Sequence, residues 1–137
     1  QNPLRRSYVN LIGSVGMNNS VYFFDTYAFF EIMRGNPSYV AFREMQCITT
    51  LFNIAELNYN LKKHKGKKIA DEYIEEYKHC CVAVTFDDIK NAMDLKMKHK
   101  QLSIPDVIGY VVALRLEIQF LTGDEGFKEM NNVAFVK

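Results

Sequence analysis

The chain has 137 residues, 48% of them apolar and 24% charged, with a formal net charge of +1. That suits one domain with its own core and excludes a disordered chain. It also excludes a protein that grips nucleic acid by bulk positive charge, so any such contact must come from local patches. The cysteines, Cys47, Cys80 and Cys81, are odd in number and show no CxxC or Cys/His ligand spacing. A disulfide framework or zinc site is not expected, and a reducing, cytoplasmic setting is. No membrane span is expected either, because Asp106, Arg115 and Glu117 interrupt the apolar segment near the end.

Residues 1–19 read as an N-terminal extension ahead of a single domain over 20–137. Arg5 and Arg6 before YVNLIG hint at a secretion signal, but Asn10, Gly13, Ser14 and Gly16 break any apolar region. Met17 is an alternative natural start. VYFF (21–24) reads as a buried strand ended by Asp25. TYAFFEIMRG then reads as a helix stopped by Gly35-Asn36-Pro37, and SYVAFREM as a second short helix. CITT is either a strand or the entry to the next helix.

LFNIAELNYNLKK carries helical spacing at Leu51, Ile54, Leu57 and Leu61. KKIADEYIEEYKH is amphipathic, with Ile69, Tyr73, Ile74 and Tyr77 on its apolar face. CVAVT (81–85) is predicted as a buried strand. FDDIKNAMDLKMKHK is predicted as a helix opened by Thr85 and Asp88 in a capping box. SIPDVIGYVVALRLEI is apolar on nearly all sides and therefore central. QFLT is a strand ending at Thr122-Gly123-Asp124, EGFKEM a short helix, and VAFV the last strand. Strands that are continuous apolar runs, alternating with helices, predict a three-layer α/β/α domain with a mostly parallel central sheet. In such sheets functional groups gather beyond the carboxyl ends of the strands.

Asp25, Glu56, Asp106 and Asp124 carry the chemistry. Singly, each has an ordinary role: Asp25 as an N-cap, Glu56 on a solvated helix face, Asp106 in a capping box with Ser103, and Asp124 in a turn. Jointly they say more. Asp25 and Asp124 share the carboxyl edge of the sheet, while Glu56 and Asp106 interrupt apolar helices. A carboxylate beside a buried face is costly unless paired or metal-bound, and no lysine or arginine stands at a matching spacing. Oxygen-rich clusters select hard ions such as Mg²⁺ or Mn²⁺.

In four motifs the chain resembles the PIN domain family. They are VYFFDTYAFFEI with Asp25, ITTLFNIAELNY with Glu56, LSIPDVIGYVVAL with Asp106, and LTGDEGF with Thr122, Asp124 and Phe127. Each is weak singly, and their order and separation over residues 21–137 make the set fairly specific. The resemblance implies a small α/β, Mg²⁺- or Mn²⁺-dependent endoribonuclease. It further implies the toxin half of a VapBC-type toxin–antitoxin pair, with a small antitoxin as partner and a homodimer as assembly. Asp25, Glu56, Asp106 and Asp124 would be its metal and catalytic residues, with Thr122 positioning Asp124 or a water. A housekeeping RNA-processing nuclease and a non-catalytic binding module that kept the carboxylates remain as alternatives; a receiver-type regulatory domain lacks its central phosphoacceptor here. Tyr27 departs from the family's small polar residue, and Gly109-Tyr110 from its alanine-rich turn. Both bear on substrate choice.

Two basic runs offer sites for single-stranded RNA: Lys62, Lys63, Lys65, Lys67 and Lys68, and Lys90, Lys96, Lys98 and Lys100 with His99. Lysines also favour helix ends for dipole reasons, which gives the bland reading equal weight. His64, His79 and His99 form no catalytic pattern, and most aromatic residues sit at core spacing.

Overall fold

The computed structural model describes residues 20–137, so the N-terminal extension predicted over 1–19 lies outside the described residues. Four short strands form one sheet: β1 (Val21–Phe24), β2 (Gln46–Ile48), β3 (Gln119–Thr122) and β4 (Val133–Phe135). Their order is β2-β1-β3-β4, and every pairing is parallel. The helices are α1 (Thr26–Arg34), α2 (Leu51–Lys65), α3 (Lys67–Glu75), α4 (Phe86–Lys98) and α5 (Ile104–Leu116). SYVAFREM forms a 3-10 helix over Pro37–Glu44, opened by Asn36, whose side chain accepts from the Ser38 amide.

Alternation along the strands sorts the core into two halves. Phe23 and Phe120 point to one face, where they meet Ile108, Val112 and Leu116 of α5 and Ala92 of α4. Phe24 and Leu121 point to the other, where Ala28 and Phe29 of α1, Ile54, Leu57 and Leu61 of α2 and Ala70 of α3 cover them. The sheet is thus buried on both faces, which is why its strands read as unbroken apolar runs. This is the three-layer α/β/α arrangement that the sequence predicts.

Two local expectations change. CVAVT is not a sheet strand: only Cys81 bridges, in parallel to Thr49. The chain exchanges two bonds with Thr49, from Thr49 N to Cys80 O (3.0 Å) and from Val82 N to Thr49 O (2.9 Å). Beyond Thr49 the neighbouring chain turns into α2 at the Thr50 cap, so no ladder remains to be joined. The Ala83 carbonyl instead accepts from Arg115 Nη2 at 3.0 Å. On α3, Ile69 is 48% exposed and Ala70 takes the core position, with Tyr73 anchored through its hydroxyl to Phe29 O at 3.1 Å. Tyr73, Ile74 and Tyr77 of the predicted stripe do pack against the core, and Ile69 alone falls at its open edge.

Both predicted capping boxes form, at Thr85/Asp88 and at Ser103/Asp106. Asp88 has a second duty. Its carboxylate is gripped by Arg115 from α5, through Nε at 2.8 Å to one oxygen and Nη2 at 2.9 Å to the other. Burial pushes the Asp88 carboxyl up, but the guanidinium and the Thr85 bonds outweigh it and the net shift is downward. That fork locks α4 to α5.

Gly109, where the alanine-rich turn was expected, is set by close packing of α5 on the sheet and α2. A Cβ there would stand 2.8 Å from the Phe23 ring and 3.0 Å from Asn53 Nδ2. Gly109→Ala should therefore lower stability by about 1–3 kcal/mol, as over-packed cores do. A chemical-denaturation midpoint equal to that of the wild type would refute this.

Candidate active site

The order β2-β1-β3-β4 has its reversal between β1 and β3. Chain leaving β1 and chain leaving β3 diverge there and open a crevice at the carboxyl edge. Asp25 directly follows β1 and Asp124 stands two residues past β3. Asp106 reaches the same point from the first turn of α5. Carboxylate oxygens of Asp25, Asp106 and Asp124 lie within 4.8 Å of one another.

Each acid is held differently. Asp25 occupies the N-cap position of α1, yet its side chain makes no capping bond. Its backbone N–H is tied to Leu121 O (3.1 Å), and its Oδ2 accepts from Thr122 Oγ1 at 2.8 Å. Its Oδ1 is buried without a partner, as is the neighbouring Thr26 Oγ1. A buried carboxylate oxygen left bare costs free energy that a cation would recover. Asp106 does perform its capping role, with Oδ2 accepting from Ser103 N at 2.9 Å. Asp124 Oδ1 accepts from Gly126 N at 2.9 Å and opens a 3-10 turn over Glu125–Phe127. Caps and cluster are thus not rival roles for these two acids: the cap bond aims the carboxylate.

Thr122 joins the two strand ends. It donates to Asp25 Oδ2 and accepts from the Asp124 amide at 3.1 Å. It therefore acts on Asp25 directly and on Asp124 through the backbone. Glu56 stands outside the trio that meets within 4.8 Å. It is half-buried on α2, and its Oε2 accepts from Ser103 Oγ at 2.9 Å. Its charge nevertheless reaches the trio and raises the affinity of Asp25 and Asp106 for protons.

Electrostatics agree with the geometry. Burial, and then the Asp106 charge, hold the Asp25 carboxyl well above its usual range, against the opposing Thr122 bond. Burial lifts Asp106 to about 6, with Glu56 and Asp124 adding to it while the Ser103 bonds oppose. Among the described residues, none of the ion pairs involves these four acids. Oxygen donors, mutual repulsion and an orphaned buried oxygen fit a hard divalent cation such as Mg²⁺ or Mn²⁺.

Sequence reading understated Ser103 and Asn53. Ser103 Oγ accepts from Asp106 N (3.1 Å) while donating to Glu56, so one hydroxyl sets two of the acids. Asn53 is buried on α2; it receives a bond from Thr50 Oγ1 (2.6 Å) and donates to Pro105 O (3.2 Å), tying the start of α5 to α2. The signal for Ser103 was present as a capping box, but its second bond comes from a residue 47 positions away. Ser103→Ala should cost about 1 kcal/mol through the lost cap. It should also slow any metal-dependent turnover by about 10- to 100-fold through a freed Glu56, whereas Ser103→Thr should keep both. Turnover by Ser103→Ala at the wild-type rate would show that the Glu56 contact is idle.

Tyr27 packs against Gly123 and the Tyr39 ring. A Cβ on Gly123 would stand 2.4 Å from the Tyr27 ring and 2.2 Å from Val136 O, so only glycine fits before Asp124. The lysine runs divide. Lys67 and Lys62 are engaged by Asp71, at 2.6 and 3.1 Å, and the Lys67, Asn58 and Lys62 bonds together hold the Asp71 carboxyl well below its usual range. Lys96 Nζ donates to Leu102 O (2.7 Å) and Lys100 O (3.3 Å), bracing the loop before Ser103. Lys63 Nζ lies 4.6 Å above the Tyr59 ring. Lys65, Lys68, Lys98 and Lys100 are exposed. No helix among the described residues is long and apolar enough to cross a membrane.

Fold and site together define an α/β domain with an acidic cluster at the sheet's switch point. The PIN domain family model matches residues 22–133, and the chain belongs to that family. Two solved structures share the fold. One is a toxin–antitoxin complex from Klebsiella pneumoniae, at TM-score 0.64 and 18% identity over 82% of this chain and 94% of that one. The other is VapBC2 from Rickettsia felis bound to a DNA fragment from its promoter, at TM-score 0.64 and 16% identity over 85% and 97%. No curated protein matches the sequence.

Proposed function

We propose that this protein is a divalent-metal-dependent endoribonuclease and the toxin of a VapBC-type pair, working in the cytoplasm. The observation that carries the reading is the convergence of Asp25, Asp106 and Asp124 within 4.8 Å around a buried, unpartnered Asp25 oxygen. The toxin–antitoxin complexes among its structural neighbours support a small antitoxin as partner. The homodimer rests on family resemblance alone.

In this reading Asp25, Asp106 and Asp124 hold Mg²⁺ or Mn²⁺. When bound, such an ion acidifies a water and offsets charge on a phosphodiester. The chain's own residues supply the rest. Thr122 keeps Asp25 aimed into the crevice and fixes the turn that carries Asp124. Ser103 holds Glu56 in place to orient an attacking water and accept its proton. Burial keeps competing water away from Asp25. Phosphate attraction falls to the exposed lysines that no carboxylate engages, with Lys63 nearest to Glu56 along α2.

The test incubates the purified protein with a mixed pool of single-stranded RNA in Mg²⁺, Mn²⁺ or chelator. Cleavage is expected with either ion and none with chelator. Cleavage that persists unchanged in chelator, or no cleavage with any divalent ion, would overturn the proposal.

A further inference from the structure

The exposed face of α2 carries an arrangement that the acids do not explain. Phe52, Glu56, Tyr59 and Lys63 follow one another at spacings of four, three and four residues, so they fall within an arc of about 60° on the helix. Phe52 is 41% exposed and Tyr59 64% exposed, and among the described aromatic residues only Phe86, at 87% and on another helix, is as open. Lys63 holds its ammonium over the Tyr59 ring. Glu56 lies between the two rings, about 6 Å along the helix axis from Phe52 and about 4.5 Å from Tyr59. It is also the residue that Ser103 ties to the Asp106 turn. An aromatic, an acid of the site, an aromatic and a cation therefore line up beside the crevice.

We propose that this stripe is a binding track for single-stranded RNA, with one base stacked on Tyr59, another on Phe52, and the intervening phosphodiester lying over Glu56 beside the acidic trio. The inference rests on the nuclease reading for its substrate. Exposed aromatic rings bind bases through their faces without regard to sequence, and a neighbouring cation takes the backbone. A base arriving on Tyr59 displaces the Lys63 ammonium from the ring face towards the phosphate. Duplex RNA does not fit, because its bases are already stacked and cannot be splayed onto two rings. A polynucleotide offers π faces to the two rings and a phosphate to the Lys63 ammonium.

The experiment measures binding of a fluorescent, mixed-sequence single-stranded oligoribonucleotide in Mg²⁺. An Asp25→Asn background is used throughout so that the probe stays intact. Tyr59→Ala and Phe52→Ala are each expected to weaken binding by about 5- to 150-fold, the effect of one lost stacking partner. Tyr59→Phe should bind like its parent because the ring is kept. Lys63→Ala should flatten the salt dependence of binding. A duplex of the same sequence should bind weakly and respond to none of these changes. Single-strand binding within twofold of the parent in both alanine variants would overturn the track, as would equal losses for duplex and single strand. The same changes are then made with Asp25 intact. Metal-dependent cleavage with unchanged binding refutes the track alone, whereas ring-dependent binding without cleavage by the wild type refutes the nuclease reading alone.

Discussion

Asp25→Asn should abolish Mg²⁺- or Mn²⁺-dependent RNA cleavage, lowering the rate by about a thousandfold or more, the scale expected when a buried electrostatic stabiliser is lost. The same change should make the metal-free protein more stable at pH 7. Asp25 is 2% exposed, faces Asp106 and Glu56, and has one oxygen without a partner. An amide keeps the shape and can still accept from Thr122 Oγ1, while the repulsion disappears. A drop in activity joined to a rise in melting temperature is the signature of a group kept for chemistry at a cost in stability. Unchanged cleavage by a well-folded variant would remove Asp25 from the site. Lost cleavage with a lowered melting temperature would instead make it a structural residue.

The metal-free protein should lose stability as pH rises from about 4 to about 7, and Mg²⁺ or Mn²⁺ should restore it at the upper end. Asp25 and Asp106 both bind their protons more tightly in the folded chain than in the unfolded one. For such groups ionisation favours the unfolded state, so stability falls as pH climbs from the unfolded carboxyl range through the folded value. Asp106, moved from 3.8 to about 6 mainly by burial, accounts for about 3 kcal/mol of this. That corresponds to about 10 °C in melting temperature for a domain of this size. Asp88 acts in the opposite sense, its stabilisation being lost as pH falls below the ordinary carboxyl range, so the metal-free optimum should lie near pH 4–5. Thermal unfolding at pH 4.5, 6 and 7.5 with ion or chelator checks this. The ion should raise the melting temperature at pH 7.5 and barely affect it at 4.5. A melting temperature that climbs steadily with pH in chelator would contradict the assignment of these two carboxyls.

The sequence was a good guide wherever local pattern and chemistry coincide. Thr85 with Asp88 and Ser103 with Asp106 form the capping boxes their spacing announces, because a cap needs only residues three apart. VYFF and QFLT are strands because both their faces are covered. CVAVT misled because β-branched apolar residues suit a strand only where a neighbouring ladder continues, and β2 ends at Ile48. Ile69 misled because the packing partner of α3 decides which residues of its apolar stripe turn inward. Among the acids, the capping explanation held for Asp106 and Asp124 and failed for Asp25, whose side chain caps nothing.

By itself, then, the sequence determined the layered α/β architecture, its helix caps and the four acids that could matter, since each depends on neighbours along the chain. Only the tertiary structure decided that Asp25, Asp106 and Asp124 form the inner trio and that Glu56 joins them through Ser103. It alone set Phe52, Tyr59 and Phe86 apart from the core aromatics. The reason is physical: charge repulsion, burial and a shared hydrogen bond act through space, between residues as far apart as Asp25 and Thr122, and no local spacing encodes that distance.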